Sequence, residues 1–343
     1  MTVPLPELLR SHLVASGAVE QAIFGTTDPE GIAAVVAGTA QDQTGVPVVA
    51  GIFYSASAGC VFGLQLADGR SVVLKATQPR WEPAFLRAVQ RVQRAVAASG
   101  FPCPTPVAEP VPIGHGWATM ESFLPDPGPL LPSGDTSLER SSSGLVRLLE
   151  LAGGLDPGGL ELHPHRLAEG ALYPAPHSPI IDLDGTASGA EWIDEWAGAA
   201  WDRRASASLP IVIAHLDWSA RNVRMGESGL VAVYDWDSVS VTSDAVTAGQ
   251  AAATWRSTGE TRDVRAPDAG EIERFIASFG RARGTPFSGL ELGVARAAAV
   301  WIMAYAARCE HALAQRTPWR RDRARHWLRT QAAPLLDREV SAP

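Results

Sequence analysis

The chain has 343 residues, enough for one large domain or two modest ones around a sizeable core. With 46% hydrophobic and 19% charged residues, its composition is that of an ordinary globular protein, and a net charge of -8 argues against a nucleic-acid partner held by phosphate contacts. Cys60, Cys103 and Cys309 stand far apart with no CxxC or Cys/His spacing, so neither a disulfide framework nor a thiolate metal site is expected.

The opening MTVPLPELLRSHLVASG has no basic stretch followed by an apolar run, so no signal peptide is expected and the chain is read as cytoplasmic. The most apolar helical stretch, residues 297–307 between Arg296 and Arg308, is too short to span a bilayer and reads as a buried core helix; no membrane partner is expected. The basic run from Arg316 to Arg329 reads as the solvated face of a terminal helix.

Residues 4–44 read as Ala-rich packing helices. From Val46 the period changes, and residues 48–54 and 61–66 read as strands separated by the small-residue loop Ser55-Ala56-Ser57-Ala58-Gly59-Cys60. Asp68-Gly69 is a hairpin signal leading to a third strand, residues 71–76, which carries Lys75 beside the apolar Val72, Val73 and Leu74. An ammonium on such a strand needs an anionic partner, because an unpaired buried charge is costly. Pro83 opens a helix over residues 84–99, with Phe85, Leu86, Val89, Val92 and Val96 at helical spacing, and Gly100 closes it. An extended segment begins at Pro102-Cys103-Pro104, and residues 117–124 form a further strand. The Pro/Gly-rich tract 125–134 marks a boundary between an N-terminal lobe (residues 1–124) and a C-terminal one (residues 125–343).

Residues 137–151 form an amphipathic helix, residues 155–179 are irregular, and residues 191–203 form a Trp-rich helix. Ten acids and three arginines lie between Glu150 and Pro210, a balance that favours a cationic or polyhydroxylated ligand. Helices follow over 244–258, 268–283, 288–316 and 319–337. Before them, the stretch 211–241 holds His215-x-Asp217, then Asn222, then Asp235 after a second apolar run. An aspartate, an amide and a second carboxylate on two loops suit a magnesium-bound phosphate and a hydroxyl nucleophile.

Taken in order, the three-stranded start with its small-residue loop, Lys75 in VVLKA, the helix ending at FPCPTPV, the strand MESFLPD, His215-Leu216-Asp217-Trp218-Ser219-Ala220-Arg221-Asn222 and Asp235-Trp236-Asp237 resemble the aminoglycoside phosphotransferase and choline kinase-like family of small-molecule kinases. The resemblance covers roughly residues 48–253. It implies an α+β, bilobal protein kinase-like fold, with an antiparallel sheet and helix in the N-lobe and a mainly helical C-lobe. Asp217 would be the catalytic residue that accepts or orients the proton of the attacking hydroxyl. Asn222 and Asp235 would hold Mg2+, and His215 would brace the catalytic loop. Lys75 would meet the phosphates of ATP or GTP, covered by the loop bearing Ser55, Ser57 and Gly59, and Met120, Glu121 and Phe123 would grip the base. By position, Asp237, Trp218, Glu195, Trp255, Trp301 and Glu310 would line the site of a small-molecule hydroxyl acceptor.

The sequence departs from the family pattern in places. Leu216 stands where a glycine is usual, and only Asp244-Ala245 matches the later aspartate-proline element. The helix glutamate that pairs with the strand lysine should fall near Gln90, so either Glu82 reaches Lys75 or an amide contact replaces the ion pair. A protein kinase is disfavoured, because no lysine lies two residues after Asp217 and Trp-Asp, not Phe-Gly, follows Asp235. Ala266-Pro267-Asp268 is read as a helix N-cap. The expected activity is transfer of the γ-phosphate to a hydroxyl of an antibiotic of aminoglycoside, macrolide or nucleoside type. The alternatives are a metabolic kinase of a sugar, amino alcohol or choline-like compound, and an inactive nucleotide-binding pseudokinase.

Overall fold

The structure is a computed structural model that describes residues 2–12, 17–126, 134–226, 229–258, 265–316 and 322–337. Three helices, α1 (Leu5–His12), α2 (Ala18–Phe24) and α3 (Pro29–Thr44), precede strands β1 (Val48–Ala56), β2 (Cys60–Leu66) and β3 (Ser71–Thr77). Helix α4 (Pro83–Ala98) and strands β4 (Pro106–Ile113) and β5 (Gly116–Ser122) complete the N-lobe. Its antiparallel sheet has the order β1-β2-β3-β5-β4. Residues 106–113, read from sequence only as extended, form the edge strand. Pro106, Pro110 and Pro112 are tolerated there because an edge strand can leave backbone positions unpaired.

Alternation along these strands sorts the side chains. Phe62, Leu64, Leu74, Ala76, Ala118 and Met120 share one face and pack with Leu9, Ile23, Ile32 and Val36 of the leading helices. Lys75, Thr119 and Glu121 therefore fall on the other face. The Asp68-Gly69 turn is as the dipeptide suggests: Gly69 has φ 87° and Asp68 Oδ1 accepts from Arg70 N–H.

The C-lobe begins with α5 (Gly134–Ala152), followed by an irregular segment, residues 153–190, that contains two short 3-10 turns. Helix α6 (Glu191–Ala205) leads to β6 (Val212–His215), β7 (Val223–Gly226), β8 (Gly229–Val233) and β9 (Val239–Thr242), and α7 (Asp244–Thr254), α8 (Ala269–Ala282), α9 (Gly289–Arg316) and α10 (Arg323–Leu336) close the fold. Asp268 caps α8 in a reciprocal capping box with Glu271. Much of the proposed boundary tract 125–134, and Arg320 and Arg321 of the basic run, lie outside the described residues.

The central helix of this lobe is α9, packed against α6, α7 and α10. Its 28 residues, matching the helix expected over 288–316, make it the one helix among the described residues long and apolar enough to cross a membrane, although its uninterrupted apolar stretch is the eleven residues between Arg296 and Arg308. Arg308 lies within it. The guanidinium is buried, donates to Thr186 Oγ1 at 3.2 Å and pairs with Asp194 at 3.7 Å, so the helix continues through a satisfied charge. Where α7 crosses α9, Gly249 is required by proximity: a Cβ there would stand 1.9 Å from the Ala295 carbonyl oxygen.

Candidate active site

Two short antiparallel ladders assemble the chemistry. Pairing of β6 with β9 sets His215 opposite Val239, and Leu216 N–H donates to Ser238 O at 3.0 Å. Pairing of β7 with β8 sets Val223 opposite Val233, and Tyr234 N–H donates to Asn222 O at 2.8 Å. The loop carrying Asp217 is thereby held against the turn carrying Asp235 and Asp237, and Asn222 abuts the latter. His215 is buried and its Nε2 donates to Tyr234 O at 2.9 Å, tying the two segments together; burial pulls its pKa down and favours neutral imidazole. Asn222 Nδ2 donates to Asp217 O at 3.1 Å, which orients its amide.

Asp235 has φ 62°, one of two positive-φ residues other than glycine among those described, and strain of this kind collects at functional sites. The turn is anchored by Trp236, which is buried, donates from Nε1 to Val233 O at 3.0 Å and meets the Phe101 ring edge-on. Asp235 and Asp237 share a hydrogen bond. Burial opposes ionisation of Asp235, but the Lys75 charge and the bond from Asp237 outweigh it and hold its carboxyl below the usual range. Burial and the Asp235 charge push Asp237 well above that range.

Lys75 meets this pair from above. Its Nζ lies 3.4 Å from Glu121 Oε1 and 4.0 Å from Asp237 Oδ1. Burial alone would lower the lysine pKa, but these charges outweigh it and raise the value above normal. Neither residue proposed as the lysine partner occupies that position: Glu82 is exposed at the start of α4, and the Gln90 amide donates to Ala108 O. The carboxylate comes from β5 instead. Lys75 is opposite Thr119, so Glu121 is its diagonal neighbour on the same face. Helix α4 contributes an amide to Glu121, since Gln93 Nε2 donates to Glu121 Oε2 at 3.0 Å.

The side chains of residues 120–123 have structural partners. The Met120 side chain is buried in the N-lobe core and the Glu121 carboxylate pairs with Lys75. The Ser122 and Phe123 N–H groups donate to Thr105 and Ser71 carbonyls, and the Phe123 ring packs on Phe53.

A cavity of about 470 Å³ joins the centre to the rest of the cleft. Ser57, Gly59, Lys75, Asp217, Asp235 and Asp237 line it. Ser55 does not; it is exposed and paired with Val61. Gly59 is needed because a Cβ there would stand 2.6 Å from Ala76 O. The other wall comes from α6, α9 and residues 163–177. That segment is strapped to the N-lobe, because Gln78 Nε2 donates to both Ala58 O and His177 O and Arg80 donates to Pro176 O and His177 O.

Of the six residues expected to line the acceptor site, Asp237 and Trp301 face the cavity. Trp218 is buried and donates to Ser141, Trp255 packs on Phe275, Glu310 accepts from the first N–H groups of α10, and Glu195 is exposed. None of the ten acids between Glu150 and Pro210 lines it either. His163 and His165 pack on Trp81, and burial lowers the His163 pKa to about 3.

Among the described residues, no three His, Cys, Asp or Glu side chains form a metal-holding cluster. The donor set here is instead two carboxylates and an amide, with Asp237 Oδ1 buried and without a hydrogen-bond partner. That set fits Mg2+, which takes few protein oxygens and completes its shell with phosphate and water.

The profile of the phosphotransferase enzyme family APH matches residues 61–244. The chain is similar in fold to the amicoumacin kinase hAmiN in complex with AMP-PNP, Ca2+ and Ami (TM-score 0.61, 11% identity, 84% of this chain and 88% of that one). It is also similar to a microcompartment-associated aminopropanol kinase (TM-score 0.59, 12% identity, 88% and 95%) and to a choline/ethanolamine kinase family protein from Mesorhizobium loti (TM-score 0.52, 14% identity, 83% and 86%). No protein of curated function matches the chain in sequence.

Proposed function

Because the chain belongs to the phosphotransferase enzyme family, whose profile spans more than half of it, we propose that it transfers the γ-phosphate of ATP, or of GTP, to a hydroxyl of an antibiotic. It is a small-molecule kinase with an alcohol group as acceptor. One observation supports the site assignment: the two ladders and strand β3 bring Asp217, Asp235 and Lys75 to one cleft, with Asn222 buried beside them and bonded to the Asp217 carbonyl.

Phosphoryl transfer demands positioning and charge neutralisation more than covalent help. Lys75, fixed by Glu121, pairs with the α/β-phosphates, and backbone N–H groups of residues 57–60 cover them. Asn222 and Asp235 would hold Mg2+, which would neutralise the phosphate charge. Asp217 accepts a hydrogen bond from the acceptor hydroxyl, aims the hydroxyl oxygen at the γ-phosphorus and takes the proton as the new O–P bond forms and the bond from the γ-phosphorus to the β-phosphate oxygen breaks, releasing the nucleoside diphosphate. His215 holds the loop in register through Tyr234 O. We place this activity in the cytoplasm, where nucleotide is available and Cys60, Cys103 and Cys309 stay reduced, as they are here. Likeness to the aminopropanol kinase favours a second reading, a metabolic kinase of an amino alcohol or similar compound.

The test is a nucleotide-consumption screen with Mg2+ against antibiotics and metabolites, wild type beside Asp217→Ala. Acceptor-dependent turnover that Asp217→Ala abolishes, with nucleotide affinity retained, supports the reading. Full transfer by Asp217→Ala refutes the catalytic assignment, and nucleotide binding without turnover on any acceptor favours a binding module.

A further inference from the structure

The cavity wall away from the catalytic carboxylates carries arginines, and among the described residues one of them, Arg204, has a buried N–H group without a partner. Arg204, on the last turn of α6, has its guanidinium 5.1 Å from the Trp201 ring and 5.2 Å from the Trp301 ring. All three residues line the cavity, and Arg166 lines it too. Among the described residues no carboxylate pairs with Arg204, and its Nη1 is buried without a hydrogen-bond partner. Burial is the sole influence on its pKa and lowers it to about 10, which leaves it charged at neutral pH.

A guanidinium is ordinarily buried only when paired, and an unsatisfied buried donor carries a desolvation penalty. Packing against the contacting pair of indoles accounts for the position of the Arg204 guanidinium, but not for an N–H group left without an acceptor beside a cavity. The acids that gave residues 150–210 their negative balance all point elsewhere, while Arg166 and Arg204, two of the three arginines of that stretch, reach the cavity.

We propose that the hydroxyl acceptor of this enzyme carries a carboxylate, bound by Arg204 where it packs against Trp201 and Trp301. The inference rests on the cavity being the acceptor site of the kinase. It reverses the sign of the ligand charge suggested by local sequence composition, and it disfavours polycationic acceptors such as aminoglycosides. The fork of Arg204 matches a carboxylate in two parallel hydrogen bonds, and the indoles exclude water from them.

The test uses intrinsic tryptophan fluorescence of the full chain, titrated with a matched set of probes: 4-hydroxybenzoate, 4-hydroxybenzamide and tyramine. The expected result is saturable quenching in which the carboxylate binds about tenfold to a hundredfold more tightly than the amide or the amine. Arg204→Met should abolish that preference and Arg204→Lys should keep part of it. Equal affinity for the three probes, no saturable binding of the carboxylate, or an unchanged preference in a folded Arg204→Met variant would each overturn the proposal. The wild-type comparison stands even if Arg204→Met does not fold. Calorimetry of Mg-ATP binding separates the two readings: its absence from the wild type defeats the kinase assignment, whereas retained nucleotide binding with no carboxylate preference defeats this inference alone.

Discussion

Replacing Glu121 with glutamine tests the lysine partner directly. Lys75 and Glu121 are only 12% and 10% exposed, and their charged atoms lie 3.4 Å apart. Removing one member of such a pair costs about 3–5 kcal/mol when the other charge is left uncompensated. Here Asp237 Oδ1 stands 4.0 Å from the same ammonium, so part of the compensation is recoverable. The expected loss of stability is therefore about 1–3 kcal/mol. Recruiting Asp237 also pulls Lys75 toward the metal-binding turn, so the KM for nucleotide should rise about tenfold and kcat should fall with it. The assay is denaturant unfolding beside steady-state kinetics, in a cycle of Glu121→Gln, Lys75→Met and the double variant. A coupling energy of about 1–3 kcal/mol is expected. Glu82→Gln serves as the control and should change neither quantity. The reasoning fails if Glu121→Gln retains wild-type stability and nucleotide KM, or if the coupling is zero within error.

Two further outcomes follow from the geometry. Asp235→Asn preserves shape but removes the charge that faces Lys75, so turnover should fall on the order of a hundredfold and the Mg2+ concentration for half-maximal activity should rise; unaltered Mg2+ dependence would remove Asp235 from the metal site. Gly249→Ala separates two effects of opposite sign. Helix propensity alone would stabilise by about 0.5–1 kcal/mol, whereas the 1.9 Å approach to the Ala295 carbonyl forces α7 from α9 at a cost of about 1–3 kcal/mol. Thermal unfolding should show a lower Tm, and a higher one would contradict the packing described.

The parts of the fold and site legible in the sequence are those whose physics is local. The Asp68-Gly69 turn, the periodic face of α4 and the helix cap at Asp268 each depend on neighbours within a few residues. The stretch from His215 to Asn222 is local in the same sense, since one loop carries His215, Asp217 and Asn222 and the Asn222 amide bonds the Asp217 carbonyl. Strand β4 was not fully readable, since its prolines argue against a strand until its edge position is known. The extent of α9 was readable from its sequence, but the burial of Arg308 within it was not, because its partners Thr186 and Asp194 come from more than a hundred residues away.

The same distinction explains why the reaction was readable and the acceptor was not. Glu121 becomes the partner of Lys75 only through the β3–β5 register, which period-two alternation in WATMESF could have signalled by placing Thr119 and Glu121 on one face and Ala118 and Met120 on the other. The wall that would receive the acceptor has no such local signature. It is built where α6, α9 and an irregular segment pack together, and packing decides which side chains turn inward. Counting charges along residues 150–210 weighs ten acids, none of which lines the cavity, against three arginines, two of which do. Some of those acids serve the fold, as Asp194 does by pairing with Arg308 and accepting from Tyr173, so a charge count along the chain carries no information on which charges meet a ligand.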